Sequence, residues 1–200
     1  MSAGAVPPIL LATGNPHKIR EVGEILAASG VALVTPSDVG GLPEVVEDGA
    51  TFAANASKKA LAGLHYSGHW TLADDSGIEA RALDWAPGVY SARFAGEPCD
   101  DAANNARLDA LLRAADDRFV HYRCVIALAR PDCEVLTWEG TFAGEWTSTP
   151  RGEEGFGYDP HVLLPDCGKT VAELDPDEKH ARSHRGQALR RFAAWLSEER

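Results

Sequence analysis

None of the chain's apolar runs approaches the ~20 residues that a bilayer-spanning helix needs. Cysteine is scarce: Cys99, Cys124, Cys133 and Cys167 form no C-x-x-C pair, and their spacings match no zinc pattern. They read as scattered free thiols in a reducing compartment. Basic charge is also short, with 19 Lys and Arg against 30 Asp and Glu and a formal charge of −11. A nucleic acid partner calls for a basic face, so none is expected. No internal repeat or low-complexity segment is present. The opening stretch "MSAGAVPPILLATGN" carries a Pro pair and no basic segment ahead of its apolar run. No signal peptide and no membrane association are expected, and the cytoplasm is the expected address.

What remains is an ordinary globular composition, 44% hydrophobic and 24% charged over 200 residues, enough for a sizeable core. Ile9 to Ala12 read as a buried strand. Asn15 suits a helix N-cap and Pro16 the first helical position. Ile19, Val22, Ile25 and Leu26 follow at helical spacing, with Gly30 as the stop. Val31 to Val34 is a second strand, which makes a βαβ-like start. Residues 36 to 50 read as a loop, and a helix runs from Thr51 to about His65, stopped near Gly68. Trp70 to Ala73 is a buried strand that ends in Asp74, Asp75, Ser76 and Gly77. After an irregular stretch from 84 to 100, a helix is expected over about 100–115. Residues 119 to 147 alternate apolar and polar around Arg130-Pro131-Asp132, as a long antiparallel hairpin does. Val162 to Leu164 is a short strand. The chain ends in a helix capped by Ser183, with Ala188, Leu189, Phe192 and Leu196 on its apolar face. The class is α/β with a mixed sheet, read as one domain over 1–200.

Polar residues cluster at element ends. Thr13, Asn15 and Lys18 lie at the first strand-to-helix turn, where free N–H groups attract phosphate. "TGNPHK" lacks the P-loop spacing, and a solvent-facing Lys18 is the plainer reading of this motif alone. Asp74 and Asp75 admit three roles: turn caps, a proton-sharing pair, or ligands to a hard cation such as Mg²⁺. Glu44, Glu47 and Asp48 in the preceding loop offer a further oxygen ligand, or simply a solvated acidic face. "GFGYD", residues 155 to 159, places Phe156 to stack on a planar ring and Asp159 to accept from ring N–H groups, or closes a small core. "KHARSHRGQAL" puts Lys179, His184 and Arg185 at the start of the last helix. Cations there oppose the helix dipole, and a bound anion would relieve them.

"TGNPHK", "LADDSG", "PGVYSARFAG", "EGFGYDP" and "SHRGQAL" occur in this order, with spacing that resembles the inosine/xanthosine triphosphate pyrophosphatase family over essentially the whole chain. The resemblance implies two lobes around a central cleft and a homodimer. It also implies Mg²⁺-dependent hydrolysis of non-standard purine nucleoside triphosphates to the monophosphate and pyrophosphate. Carried over by position, Thr13, Gly14, Asn15, Lys18 and Lys59 would bind the triphosphate. Asp75 would be the catalytic carboxylate and Ser76 a substrate contact. Phe156, Gly157, Tyr158 and Asp159 would form the base pocket, with Lys179, His184 and Arg185 completing it. One departure stands out. Where the family has an acid in "TF-x-E-N-A", this chain reads "TFAANA" with Ala54, which leaves Glu47 as the metal ligand beside Asp75. The rival readings are a Maf-type nucleotide pyrophosphatase, against which "SHRGQAL" speaks, and a non-catalytic nucleotide sensor, against which the intact Asp74-Asp75 pair speaks.

Overall fold

The computed structural model describes residues 6–132 and 134–199. The first five residues of the opening stretch, and the free-thiol reading of Cys133, lie outside them. Five α-helices and seven strands follow along the described chain, alternating up to β4: β1 (Ile9–Leu11), α1 (Pro16–Leu26), β2 (Leu33–Val34), α2 (Phe52–Ser67), β3 (Trp70–Ala80), α3 (Asp101–Leu112), β4 (Phe119–Ala129), β5 (Val135–Trp146), β6 (Val162–Leu164), β7 (Lys169–Thr170), α4 (Pro176–Arg182) and α5 (His184–Glu198).

Local chemistry sets most of these boundaries. Asn15 caps α1, its side-chain oxygen accepting from the N–H groups of His17 and Lys18, and Pro16 opens the helix. Thr51 caps α2 by accepting from Ala54 N. Gly30 and Gly68 stop the two helical stretches in the left-handed conformation, at φ 66° and 72°, which a side chain would resist.

The strands form one seven-stranded sheet in the order β2-β1-β3-β4-β5-β6-β7. β1 runs parallel to β2 and β3, whereas β6 is antiparallel to β5 and β7, so the sheet is mixed as expected. β4 and β5 are sheet neighbours joined by residues 130–134, where Arg130 N donates to Glu134 O at 3.1 Å, closing the expected hairpin. Along β5, Gly140, Phe142, Gly144 and Trp146 are buried while their neighbours are exposed, the period-2 pattern of a sheet with one wet face.

The chain divides into two compact units. Unit 1 comprises residues 1–75, 124–140 and 185–200; unit 2 comprises 76–123 and 141–184. The core of unit 1 packs Ile9, Leu11, Leu72, Ile126 and Leu128 of the sheet with Val22 and Leu26 of α1 and Leu189, Phe192 and Leu196 of α5. Here α2 comes close to the strands: a Cβ on Gly63 would lie 2.6 Å from Thr71 Cγ2 and 3.3 Å from the Ala12 Cβ. The core of unit 2 packs Ile78, Leu108, Leu112, Val120, Tyr122, Phe142, Trp146 and Tyr158.

Three expectations need correction. The strand at Trp70 does not end at the carboxylates; β3 continues to Ala80, so Asp74 to Gly77 lie within it. Asp, Ser and Gly favour turns in isolation, but burial and cationic partners hold this segment extended. Lys179 is not at the start of the last helix but on α4, a separate helix capped by Asp175, and β7 was not foreseen. The helix placed over about 100–115 ends at Leu112. Among the described residues Cys99, Cys124 and Cys167 are free thiols, and no helix is long and apolar enough to cross a membrane.

Candidate active site

The extension of β3 explains how two adjacent carboxylates coexist. Successive side chains of a strand point to opposite faces, so Asp74 and Asp75 part company at once and touch different cations. Asp74 is 2% exposed. It receives Lys18 Nζ at 2.8 Å and Arg185 Nη2 at 3.1 Å. Burial pushes its carboxyl up, but Lys18, Arg185 and Lys59 outweigh burial and hold it far below the usual carboxylate range. Asp74 is therefore a permanent anion and a weak base.

Asp75 differs. Its Oδ1 lies 3.2 Å from Lys59 Nζ, and its Oδ2 accepts from Asn55 Nδ2 at 3.1 Å. Burial pushes Asp75 above the usual aspartate range, Glu47's negative charge adds to the rise, and Lys59, Asn55 and Lys18 do not cancel it. Glu47 also meets Lys59 Nζ, at 2.8 Å. Burial raises the Glu47 carboxyl too, but the Lys59 ammonium and a hydrogen bond with Asp75 bring it below its ordinary value. The two carboxyls titrate together, with Asp75 the one that holds a proton more tightly. Lys59 stays charged: burial disfavours its ammonium, and Asp74, Asp75 and Glu47 more than restore it.

The supporting residues are local. Thr13 Oγ1 accepts from Asn15 N at 3.2 Å, and Asn15 caps α1, so both shape the turn around exposed Gly14 that aims Lys18 at Asp74. Of the three loop acids only Glu47 joins Lys59; Asp48 pairs with Lys58 at 2.7 Å on the surface, and Glu44 is exposed. Two residues of unit 1 escaped the sequence reading. Asn55 is buried and ties two parts of the site together, donating to Asp75 while its Oδ1 accepts from Gly49 N at 2.8 Å. Its i, i+4 spacing to Lys59 on α2 was the available signal. Glu21, buried on α1, receives Arg185 Nη1 at 2.6 Å. A lone glutamate in a helical pattern gives no such signal. Arg185 is 1% exposed, the largest fully buried side chain described. Burial disfavours its charge, but Asp74 and Glu21 keep it protonated.

Among the described residues no group of three or more His, Cys, Asp or Glu side chains gathers as a closed metal site. A pair of carboxylates pressed together, one with a raised pKa, is nevertheless the donor set that suits Mg²⁺. That ion takes one or two carboxylates and fills its other positions with water and substrate phosphate. Glu47 and Asp75 fit it.

Unit 2 brings the remaining predicted residues together, Ser76 apart, which is half-buried at the start of the unit. Asp159 is 4% exposed and accepts from Tyr122 Oη, Phe156 N and Lys179 Nζ, each at 2.9 Å. Lys179 Nζ also lies 5.2 Å from the centre of the Phe156 ring. The Gly157 backbone is clamped by α3, its N–H donating to Asp101 at 3.1 Å and its carbonyl accepting from Asn105 at 3.0 Å. Tyr158 is a core residue whose hydroxyl donates to Ser91 O at 2.7 Å; burial raises its phenol. The His184 ring stacks on Tyr122, centroids 4.8 Å apart.

Fold and site together define a class: a mixed-sheet α/β protein in which a split carboxylate pair is ringed by two partly buried lysines and a buried arginine. Residues 9–195 match the Ham1 family. The chain belongs to that family. A dITP/XTP pyrophosphatase of Desulforamulus reducens is 50% identical over 185 residues, covering 92% of each chain. One of Ralstonia nicotianae is 50% identical over 90% of this chain and 92% of its own. Among solved structures, a HAM1 protein from Coxiella burnetii superposes with a TM-score of 0.87 at 40% identity, covering 96% of this chain and 98% of that one.

Proposed function

We propose that this chain hydrolyses non-standard purine nucleoside triphosphates (dITP, ITP and XTP) to the monophosphate and pyrophosphate. The observation that carries this reading is the division of labour on β3. Asp74 is held as an anion that anchors Lys18, while Asp75 keeps a raised pKa beside Glu47 and Lys59. Membership of the Ham1 family, and relatives named dITP/XTP pyrophosphatase, support it.

In this reading Thr13, Gly14, Asn15, Lys18 and Lys59 receive the triphosphate, and Ser76 makes a further contact. Asp75, rather than Asp74, accepts the proton of the attacking water, because Asp74 is buried and committed as an anion to Lys18 and Arg185. Mg²⁺ held by Glu47 and Asp75 would supply charge neutralisation for the phosphates and a more acidic water. Lys18 and Lys59 stabilise the charge that grows on the departing pyrophosphate. Phe156 offers its face to the base. Gly157, Tyr158, Asp159, Lys179, His184 and Arg185 complete the recognition set, Arg185 spending at least two of its five N–H donors on Glu21 and Asp74. Hypoxanthine and xanthine carry an acceptor O6 and a donor N1–H, and adenine the reverse. A pocket built for the first pattern leaves adenine with unpaired buried groups, which is worth about 10⁴-fold in discrimination. The same reading makes the protein a cytoplasmic homodimer.

Pyrophosphate release from dITP, ITP, XTP, GTP and ATP, with and without Mg²⁺, tests the proposal. Fast Mg²⁺-dependent release from the first three and slow release from ATP is the expected result. Equal rates with ATP would overturn it.

A further inference from the structure

Asp159 was expected to accept from a ring N–H of the base, yet three protein donors already reach it. Phe156 N and Lys179 Nζ both approach Oδ2, and Tyr122 Oη donates to Oδ1. The loop backbone closes directly on this carboxylate: at Gly155, φ is +80° and a Cβ would sit 2.2 Å from Asp159 Oδ2. A carboxylate has about four acceptor positions, so one remains, and its direction depends on what fixes the rotation of the carboxyl group. Donors on Oδ2 alone leave that rotation loose. The Tyr122 hydroxyl on Oδ1 locks it. The same side chain does a second job, since its ring lies parallel to the His184 imidazole within 13°. Tyr122 is 6% exposed and rises from β4 among the apolar residues of unit 2, a rigid base for both contacts.

We infer that Tyr122 is a specificity-positioning residue, whose hydroxyl orients the Asp159 carboxylate toward the purine N1–H and whose ring sets the plane of His184. The inference rests on the proposed function and deepens its base-recognition half. Adenine presents a bare N1 acceptor where hypoxanthine presents N1–H, so an oriented carboxylate attracts one and repels the other. Loss of the orienting bond weakens binding of the correct base and admits the wrong one, without touching the phosphate chemistry of unit 1.

The test is steady-state kinetics of the full chain with inosine triphosphate and ATP, for wild type, Tyr122→Phe, Asp159→Asn and the double variant, with melting temperatures alongside. Tyr122→Phe keeps the ring and removes the hydroxyl that donates to Asp159. It is expected to raise KM for inosine triphosphate about tenfold and to lower the preference over ATP by a similar factor, leaving kcat nearly unchanged. In the Asp159→Asn background the same change should add little, because the two act as one unit. Tyr122→Phe with unaltered KM and preference would overturn the inference, whether or not its melting temperature falls. So would effects of Tyr122→Phe and Asp159→Asn that simply add. A wild type that releases no pyrophosphate from inosine triphosphate would instead overturn the proposed function, and this role with it.

Discussion

At the scale of single residues, Asp74 and Asp75 have the same side chain and opposite tasks. Removing Asp74 takes the shared carboxylate from Lys18 and Arg185, leaving Arg185 only part of its buried ion network, and breaking such a network from one side costs about 3–5 kcal/mol. Asp74→Asn should therefore melt well below wild type. The pH dependence follows in sign. A carboxyl whose pKa falls on folding stabilises fully above its unfolded value, near pH 4, and loses that contribution as pH drops toward the folded value. Wild-type stability should thus decline on acidification below about pH 4, and the decline should be shallower in Asp74→Asn when denaturant midpoints are compared across pH. Asp75→Asn should do the reverse: retain the fold and lose turnover by about 10³-fold or more, as expected for a lost general base. Near-normal turnover in that variant would remove Asp75 from its role. Without metal, the Asp75 carboxyl should titrate above the ordinary aspartate range by ¹³C NMR, and Mg²⁺ at Glu47 and Asp75 should pull it down. Lys59→Met, which removes the cation opposing that rise, should move this metal-free titration to higher pH and lower kcat.

At the scale of elements, the legible parts were those written in periodicity and caps. Asn15-Pro16 opened α1, Thr51 opened α2, Gly30 and Gly68 closed them, and alternation marked β4 and β5. Lys18 on α1 and Asp74 and Asp75 on β3 stood out as candidates because polar groups interrupt apolar runs there. The length of β3 was not, since Asp74 to Gly77 carry turn chemistry that only tertiary partners override. Nor was α4, seven residues long with a nearly all-polar sequence and no apolar stripe to announce it. Asn55, Glu21 and Tyr122 became visible only through partners distant in the chain. The tight seat of α2 makes its own prediction. Gly63→Ala forces a Cβ to within 2.6 Å of Thr71 Cγ2, so the helix must shift. Overpacking of this kind costs about 1–3 kcal/mol, and a lowered melting temperature with little change in kcat per folded molecule is the expected outcome.

At the scale of the whole molecule, a chain of charge −11 is asked to receive a polyanion. Lys18, Lys59 and Arg185 are gathered in unit 1, but Asp74, Asp75, Glu47 and Glu21 match them in charge, so the cations alone leave no local positive excess. In the proposed function a divalent cation at Glu47 and Asp75 would supply the missing positive charge. Chelation by EDTA should therefore abolish turnover reversibly while leaving the circular dichroism spectrum unchanged. Loss of structure on chelation would assign the metal a folding role instead.

The most direct measurement follows the oxygen of water. Hydrolysis of dITP by the Mg²⁺-loaded protein in ¹⁸O-labelled water should give monophosphate and pyrophosphate in equal amounts, with the label in the monophosphate, because the proposed mechanism has Asp75 direct water at the α-phosphorus. Label in pyrophosphate, or release of inorganic phosphate in place of pyrophosphate, would contradict the account.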